Sequence, residues 1–220
     1  MRISALALAA VLLACSPAAM AQTTVATPNS AAAQTTFVHV GRLLADPASG
    51  VVLRDKTLVI AGNQIVEVRD GFVGEGRVID LKNAFVLPGL IDSHVHLTGQ
   101  QSPTSRLDNV TQSNADEAMI GARHARRTLR AGFTTVADLG ASNEAIFALR
   151  DAVRRGDVPG PRIIASGSAV SVHGGHGDAN GYRDDILHLL SSESVCSGAE
   201  DCRRAVRTQV RPGADIIKIT

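Results

Sequence analysis

Tryptophan is absent from the 220-residue sequence, tyrosine occurs once and phenylalanine five times. So few aromatics leave no series of flat platforms on which nucleobases could stack. A charge of one sign is also missing, since 22 Lys and Arg face 21 Asp and Glu for a formal net charge of +1. No net field therefore gathers nucleic acid or an anionic membrane surface. Beyond the leader, no apolar run reaches the ~20 residues needed to cross a bilayer. What the sequence does have is 45% hydrophobic and 20% charged residues, a balance that excludes disorder by composition. Its twenty glycines separate short Val, Ile and Leu runs, which is the pattern of strands and helices joined by tight turns. The class is α/β.

The beginning of the sequence reads as a signal peptide over residues 1–21. Arg2 supplies a minimal positive start, Ile3 to Ala14 a short apolar stretch, and Ala19-Met20-Ala21 a small-x-small cleavage site before Gln22. A rival reading takes Leu12-Leu13-Ala14-Cys15 as a lipoprotein signal, with a lipid anchor on Cys15. Leucine just before Ala-Cys is the weaker fit, so cleavage before Gln22 is preferred. Either reading makes the protein exported, to the periplasm or beyond. Export leaves Cys196 and Cys202 as an even pair in an oxidising compartment. A zinc site would need more ligands than the stretch SVCSGAEDCRRAV supplies. A small disulfide loop is the better reading.

Two unlike parts follow a flexible leader over residues 22–35. From 36 to 88, short alternating runs (FVHVGRLL, KTLVIAG, QIVEVRD, RVIDL, AFVL) are separated by Asp-Pro, Gly-Asn and Asp-Gly breaks. They predict a small antiparallel β layer with a hairpin at 61–64. From 89 onward the grammar changes to helix, glycine, apolar strand. Asn114 with Glu117 predicts a capping box for a helix to Arg130, closed by Gly132. Phe133–Leu139 reads as a strand. Asn143 caps a helix with Ile146, Leu149 and Val153 on one face, ending at Gly156. Pro161–Ser166 reads as a strand, Ala199–Arg211 as a helix stopped by Pro212-Gly213, and Asp215–Thr220 as a fourth strand. This is βα repetition around a parallel sheet. Four strands fall short of the eight that close a barrel.

The chemistry begins at His94. On a strand over 90–95, His94 and His96 project to one face, and two neutral imidazoles on one edge make half of a divalent-metal site. Histidine pairs at this spacing also arise by chance, so the pair alone is a weak signal. Its context is Val86-Leu87-Pro88-Gly89-Leu90-Ile91-Asp92-Ser93-His94-Val95-His96-Leu97, preceded by a small β layer. That stretch resembles the first barrel strand of the amidohydrolase superfamily. The resemblance extends to the exported prolidase-like (Xaa-Pro dipeptidase-like) group through Gly132–Val136 with Asp138-Leu139-Gly140. It continues through Ser166-Gly167 to Gly174-Gly175-His176-Gly177-Asp178, and on to Gly213–Lys218.

The resemblance implies the first half of a (β/α)8 TIM-like barrel preceded by a small antiparallel β-sandwich domain. It also implies His94 and His96 as metal ligands, and Lys218 as a CO2-carboxylated lysine bridging two zinc ions. Physical chemistry agrees about Lys218, because an ammonium buried between Ile217 and Ile219 is costly unless neutralised or paired. The ordinary alternative is a strand-end lysine reaching solvent. The glycine-rich loop 169–190 would line the mouth, which makes His173, His176, Asp178, Tyr182 and Arg183 candidate substrate contacts, His176 foremost. Asp138 reads equally as a residue orienting a ligand histidine or as a structural carboxylate. His39, His124 and His188 read as ordinary.

The reaction implied is hydrolysis of amide bonds in dipeptides or N-acyl amino acids of the Xaa-Pro type. The family's acid/base aspartate and its further histidines lie on later strands, so none is expected within 1–220 and the chain alone is expected to be inactive. Partners expected are a small-molecule or dipeptide substrate, no nucleic acid, and no membrane beyond the Cys15 anchor; a homo-oligomer stays open. Two other readings remain: an imidazolonepropionase-like hydrolase of cyclic amides, and a non-catalytic exported metal-binding protein.

Overall fold

A computed structural model describes residues 35–220; the expected signal peptide and the expected leader through residue 34 lie outside the described residues. These residues divide into two compact units, one comprising 35–43 with Val52–Val86, the other Leu44–Val51 with Leu87–Thr220. No helix among them is long and apolar enough to cross a membrane.

The first unit is one sheet of four strands: β1 (Thr35–Leu43), β2 (Leu53–Ala61), β3 (Gln64–Asp70) and β4 (Arg77–Val86), ordered β3-β2-β1-β4. The leader thus yields its last residue, Thr35, to β1. Alternation works on β1 as a central strand: Val38, Val40 and Leu43 are buried with Leu58 of β2. The β2–β3 hairpin closes at the Ala61↔Gln64 pair. The expectation of a purely antiparallel layer needs correction, because β4 runs parallel to β1, with Thr36 beside Arg77 and Val40 beside Leu81. The cause lies in the 71–76 connection. Thr57 Oγ1 donates to Gly71 O (2.7 Å) and accepts from Val73 N (3.0 Å), and His39 Nε2 donates to Val73 O (3.2 Å). Pinned there, the chain re-enters beside the start of β1 and follows its direction. Among the described residues this unit is a single layer rather than a sandwich.

The second unit is built on a parallel sheet, β5 (Leu90–Val95), β6 (Phe133–Asp138) and β7 (Arg162–Ala165), ordered β5-β6-β7. Helices α2 (Asn114–Arg130) and α3 (Asn143–Arg155) supply its core with Ala125, Ile146, Phe147 and Leu149, packed against Val136, Ile163 and Ala165. Val153 packs at the margin of that cluster. Burying an aliphatic side chain of Ile146's kind contributes about 1.5–3 kcal/mol. The capping expectations shift by one residue. Ser113 caps α2 by accepting from Asp116 N while Asp116 accepts from Ser113 N, so Asn114 and Glu117 are not the box. The N-cap of α3 is Ser142, and the Asn143 carboxamide instead accepts from Ser168 N at 2.8 Å.

Three short elements escape the sequence reading: α1 (Ser105–Thr111), α4 (Asp184–Leu190) and a parallel pair formed by β8 (Ser171–Val172) and β9 (Val195–Cys196). Helix α5 (Ala199–Val210) follows. The expected fourth strand over 215–220 is corrected to a single parallel bridge, Val170↔Ile219. Asp215 N donates to Ala165 O, Val170 N to Lys218 O, and Thr220 N to Val170 O. Among the described residues, Val170 is the one bridge partner of this segment, because the chain then turns away into β8. Cys196 and Cys202 are disulfide-bonded, with Cα atoms 4.9 Å apart, which ties β9 to the first turn of α5.

Candidate active site

The end of β5 delivers two imidazoles. The ring centroids of His94 and His96 stand 5.3 Å apart at 64°, edge to face. His96 follows the last residue of β5, and its Nδ1 lies 2.8 Å from the Gly140 carbonyl oxygen, just past β6. A carbonyl only accepts, so Nδ1 carries a proton, and in the neutral ring the lone pair is then on Nε2. Asp138, the last residue of β6, is fully buried and accepts from Leu97 N (2.6 Å) and Gly140 N (3.2 Å). Burial pushes its carboxyl above the ordinary aspartate value. The two amides and the nearby His96 and His94 pull in the opposite direction.

A cavity of about 320 Å³ gathers His94, His96, His176 and Lys218, with Ser168, Ser192, Ser194 and Thr220 on its walls. Lys218 is half-buried beside the single bridge described above. His176 is presented by the turn 174–178, in which Gly177 N donates to Ser171 Oγ and Gly174 N to Asp178 Oδ2. The turn lies so close to its floor that a Cβ at Gly175 would sit 2.6 Å from Ser171 Oγ, and one at Gly177 2.8 Å from Thr220 Oγ1. Thr220 Oγ1 is itself buried without a hydrogen-bond partner.

Other expected contacts lie elsewhere. His173 is outside this cavity, with Nδ1 3.0 Å from Ser197 Oγ. Tyr182 accepts from Asn109 Nδ2 at 3.1 Å under the Arg106 guanidinium, and it lines a neighbouring pocket of about 490 Å³ that also includes His176. Arg183 pairs with Asp185. His124, read as ordinary, donates from Nδ1 to Leu97 O at 2.8 Å. Sequence offered no sign of that contact, which spans 27 positions.

Among the described residues, no group of three or more His, Cys, Asp and Glu could hold a metal ion. The donors present are two imidazoles, one with its Nε2 lone pair free, and a lysine on the same wall. They fit one side of a metal centre.

Residues 85–220 match the model of the amidohydrolase family, and the chain belongs to that family, whose members are generally metal-dependent hydrolases. The mixed α/β fold agrees with it. Among solved structures, the chain is similar to a Xaa-Pro dipeptidase with bound methionine in its active site (35% identity, TM-score 0.74, covering 84% of this chain and 47% of the other). It is similar too to a prolidase complexed with N-methylphosphonate-L-proline (35% identity, TM-score 0.70, 84% and 46%). Among curated proteins it is 31% identical over 214 residues to ochratoxinase of Aspergillus niger, covering 85% of this chain and 42% of that one. The chain therefore spans about half the length, or less, of the relatives it matches.

Proposed function

We propose that the cavity holding His94, His96, His176 and Lys218 is one wall of the active site of a metal-dependent amide hydrolase acting on dipeptides or N-acyl amino acids of the Xaa-Pro type. The observation that carries this reading is the convergence of two imidazoles and a lysine in one cavity of an amidohydrolase-family chain. The names of the two structural relatives at 35% identity support the substrate class. On this reading the 90–165 sheet and its helices begin a (β/α)8 barrel, and the four-stranded sheet begins a β-sandwich domain. On the same reading the remaining ligands and the acid/base come from further barrel strands.

His94 and His96 each offer a ring nitrogen, His96 through Nε2 because Gly140 occupies Nδ1. Lys218 acts as a carbamate: its neutral amine attacks the carbon of CO2, an N–C bond forms and one nitrogen proton leaves. The resulting anion, with His94 and His96, would hold the divalent metal, with zinc the ion proposed. Such ions, when bound, supply an activated water near neutral pH and polarise the scissile carbonyl. His176 faces the substrate from the opposite loop, and Tyr182 borders the adjoining pocket. We also propose that residues 1–21 direct export and are removed before Gln22; intact mass of the mature protein checks this, and a lipid on Cys15 would overturn it.

The test is the His94→Ala/His96→Ala double substitution in the full-length protein, read by bound zinc and by hydrolysis of an Xaa-Pro dipeptide. Both are expected to fall together, the rate by about 100-fold or more, which is roughly 2.7 kcal/mol of barrier. Retention of metal and rate would refute the assignment.

A further inference from the structure

Asp138 is a carboxylate with no solvent exposure, and its hydrogen-bond partners are backbone amides rather than a cation. Burying such a group is costly unless its oxygens are satisfied. Here Oδ2 takes the amide of Leu97 and Oδ1 the amide of Gly140. Neither amide belongs to a regular ladder, since Leu97 lies past β5 and Gly140 past β6. What the two peptides share is His96. Leu97 follows it in the chain, and the Gly140 carbonyl accepts its Nδ1–H. Residue Leu97 is held through its carbonyl as well, because His124, reaching from α2, donates to Leu97 O. The backbone on one side of the imidazole and the acceptor on the other are thus fixed by the same buried carboxylate.

We propose that Asp138 is a positioning residue for His96, its carboxylate clamping the Leu97 and Gly140 peptides, with His124 closing the clamp, so that the His96 ring keeps its proton on Nδ1 and its lone pair on Nε2. A carboxylate is needed because it accepts at both oxygens. The near-isosteric carboxamide of asparagine accepts at one and turns an NH2 toward an amide N–H, so one grip is lost. The positioning stands on hydrogen bonds alone; only its consequence for metal affinity rests on the function proposed above.

The test uses the full-length, metal-free protein labelled with 15N-histidine, the His96 signals being identified by their loss in His96→Gln. Wild type is expected to show His96 in the single Nδ1–H form. Asp138→Asn is expected to show a mixture of tautomers and a zinc affinity lower by about 10–100-fold, the usual effect of disturbing a residue behind a ligand. Val136→Ala, a cavity-forming change at a buried position two residues earlier on β6, is expected to lower stability and leave both readouts in place. If Asp138→Asn does not fold, His124→Ala, at a half-buried position, loosens residue Leu97 at its carbonyl and carries the test. An unchanged His96 tautomer with zinc affinity within about twofold of wild type overturns the proposal. So does a Val136→Ala variant that moves both readouts equally. A wild-type protein that binds no zinc, with a tautomer that still shifts in Asp138→Asn, refutes the metal reading and leaves the positioning role standing.

Discussion

In the four-stranded sheet, one apolar cluster is made by Val38, Val40, Leu43 and Leu58, while β3 is exposed along its whole length, Ile65 at 61% and Val66 at 57%. In the parallel unit, helices cover the sheet, and Val136, Ile146 and Ala165 have no exposure at all. The polar residues differ in the same sense. His39 and Thr57 spend their hydrogen bonds on their own unit's 71–76 connection. His94, His96 and Asp138 stand instead where the covered parallel strands end, and Lys218 stands beside the Val170 bridge. Helical cover, more than the presence of a sheet, separates the unit that holds the candidate site from the one that does not.

Lys218→Ala is the sharpest way to break this contrast. In the full-length protein it should cost about 100-fold or more in turnover, roughly 2.7 kcal/mol, with partial recovery on adding short carboxylates that replace the missing anion. Lys82→Ala, which removes an ammonium lying over the Phe72 ring of the small sheet, should leave turnover unchanged. Equal losses in the two variants would erase the division of labour. Next in size is Ile146→Ala, expected to cost about 2–5 kcal/mol by emptying a fully buried site. Ile65→Ala on β3 should stay within about 0.5 kcal/mol. Denaturant midpoints compare the two, and a cost above about 1 kcal/mol at Ile65 would show that the β3 face is covered in the full-length protein.

Replacing Cys196 and Cys202 by serine should cost about 2 kcal/mol, modest because the closed loop is short. The loss should appear in β9 and α5, while hydrogen exchange in the four-stranded sheet stays as it was. The smallest effect concerns Asp151 of α3, whose carboxyl is held below the ordinary aspartate value chiefly by its hydrogen bond from Arg150. A depressed folded-state value contributes stability above the unfolded value, and that contribution is lost as pH falls through the depressed one. Asp151→Asn should therefore cost about 0.5 kcal/mol at neutral pH. Its melting temperature should converge on wild type as pH drops below about 4.

How much of this was legible in the sequence depended on the range of the signal. Ile146 and Leu149 announced the buried face of α3 through helical spacing, and His94 with His96 announced a shared edge, because both patterns are local. The direction of β4 was not legible, since it is decided by Thr57 and His39 gripping Val73 across 16 and 34 positions. The segment around Lys218 carried the composition of a strand, but strand formation needs a partner edge, and among the described residues Val170 is its one bridge partner. Asp138 stayed undecided for a related reason. Its partner Leu97 lies 41 residues away, and no spacing rule reaches that far.

The crowding under the 174–178 turn sets what an engineer could vary there. In a library randomising residues 174–177, positions 175 and 177 should return glycine, because any side chain would strike Ser171, Val172 or Thr220. Position 174 has open space around it and a φ of 70°, so asparagine and aspartate should survive alongside glycine. Position 176 is then the one freely selectable letter on a backbone that cannot drift. On the proposed function, altered substrate preference through the 174–177 turn would have to be found by exchanging that single side chain, not by reshaping the path that carries it.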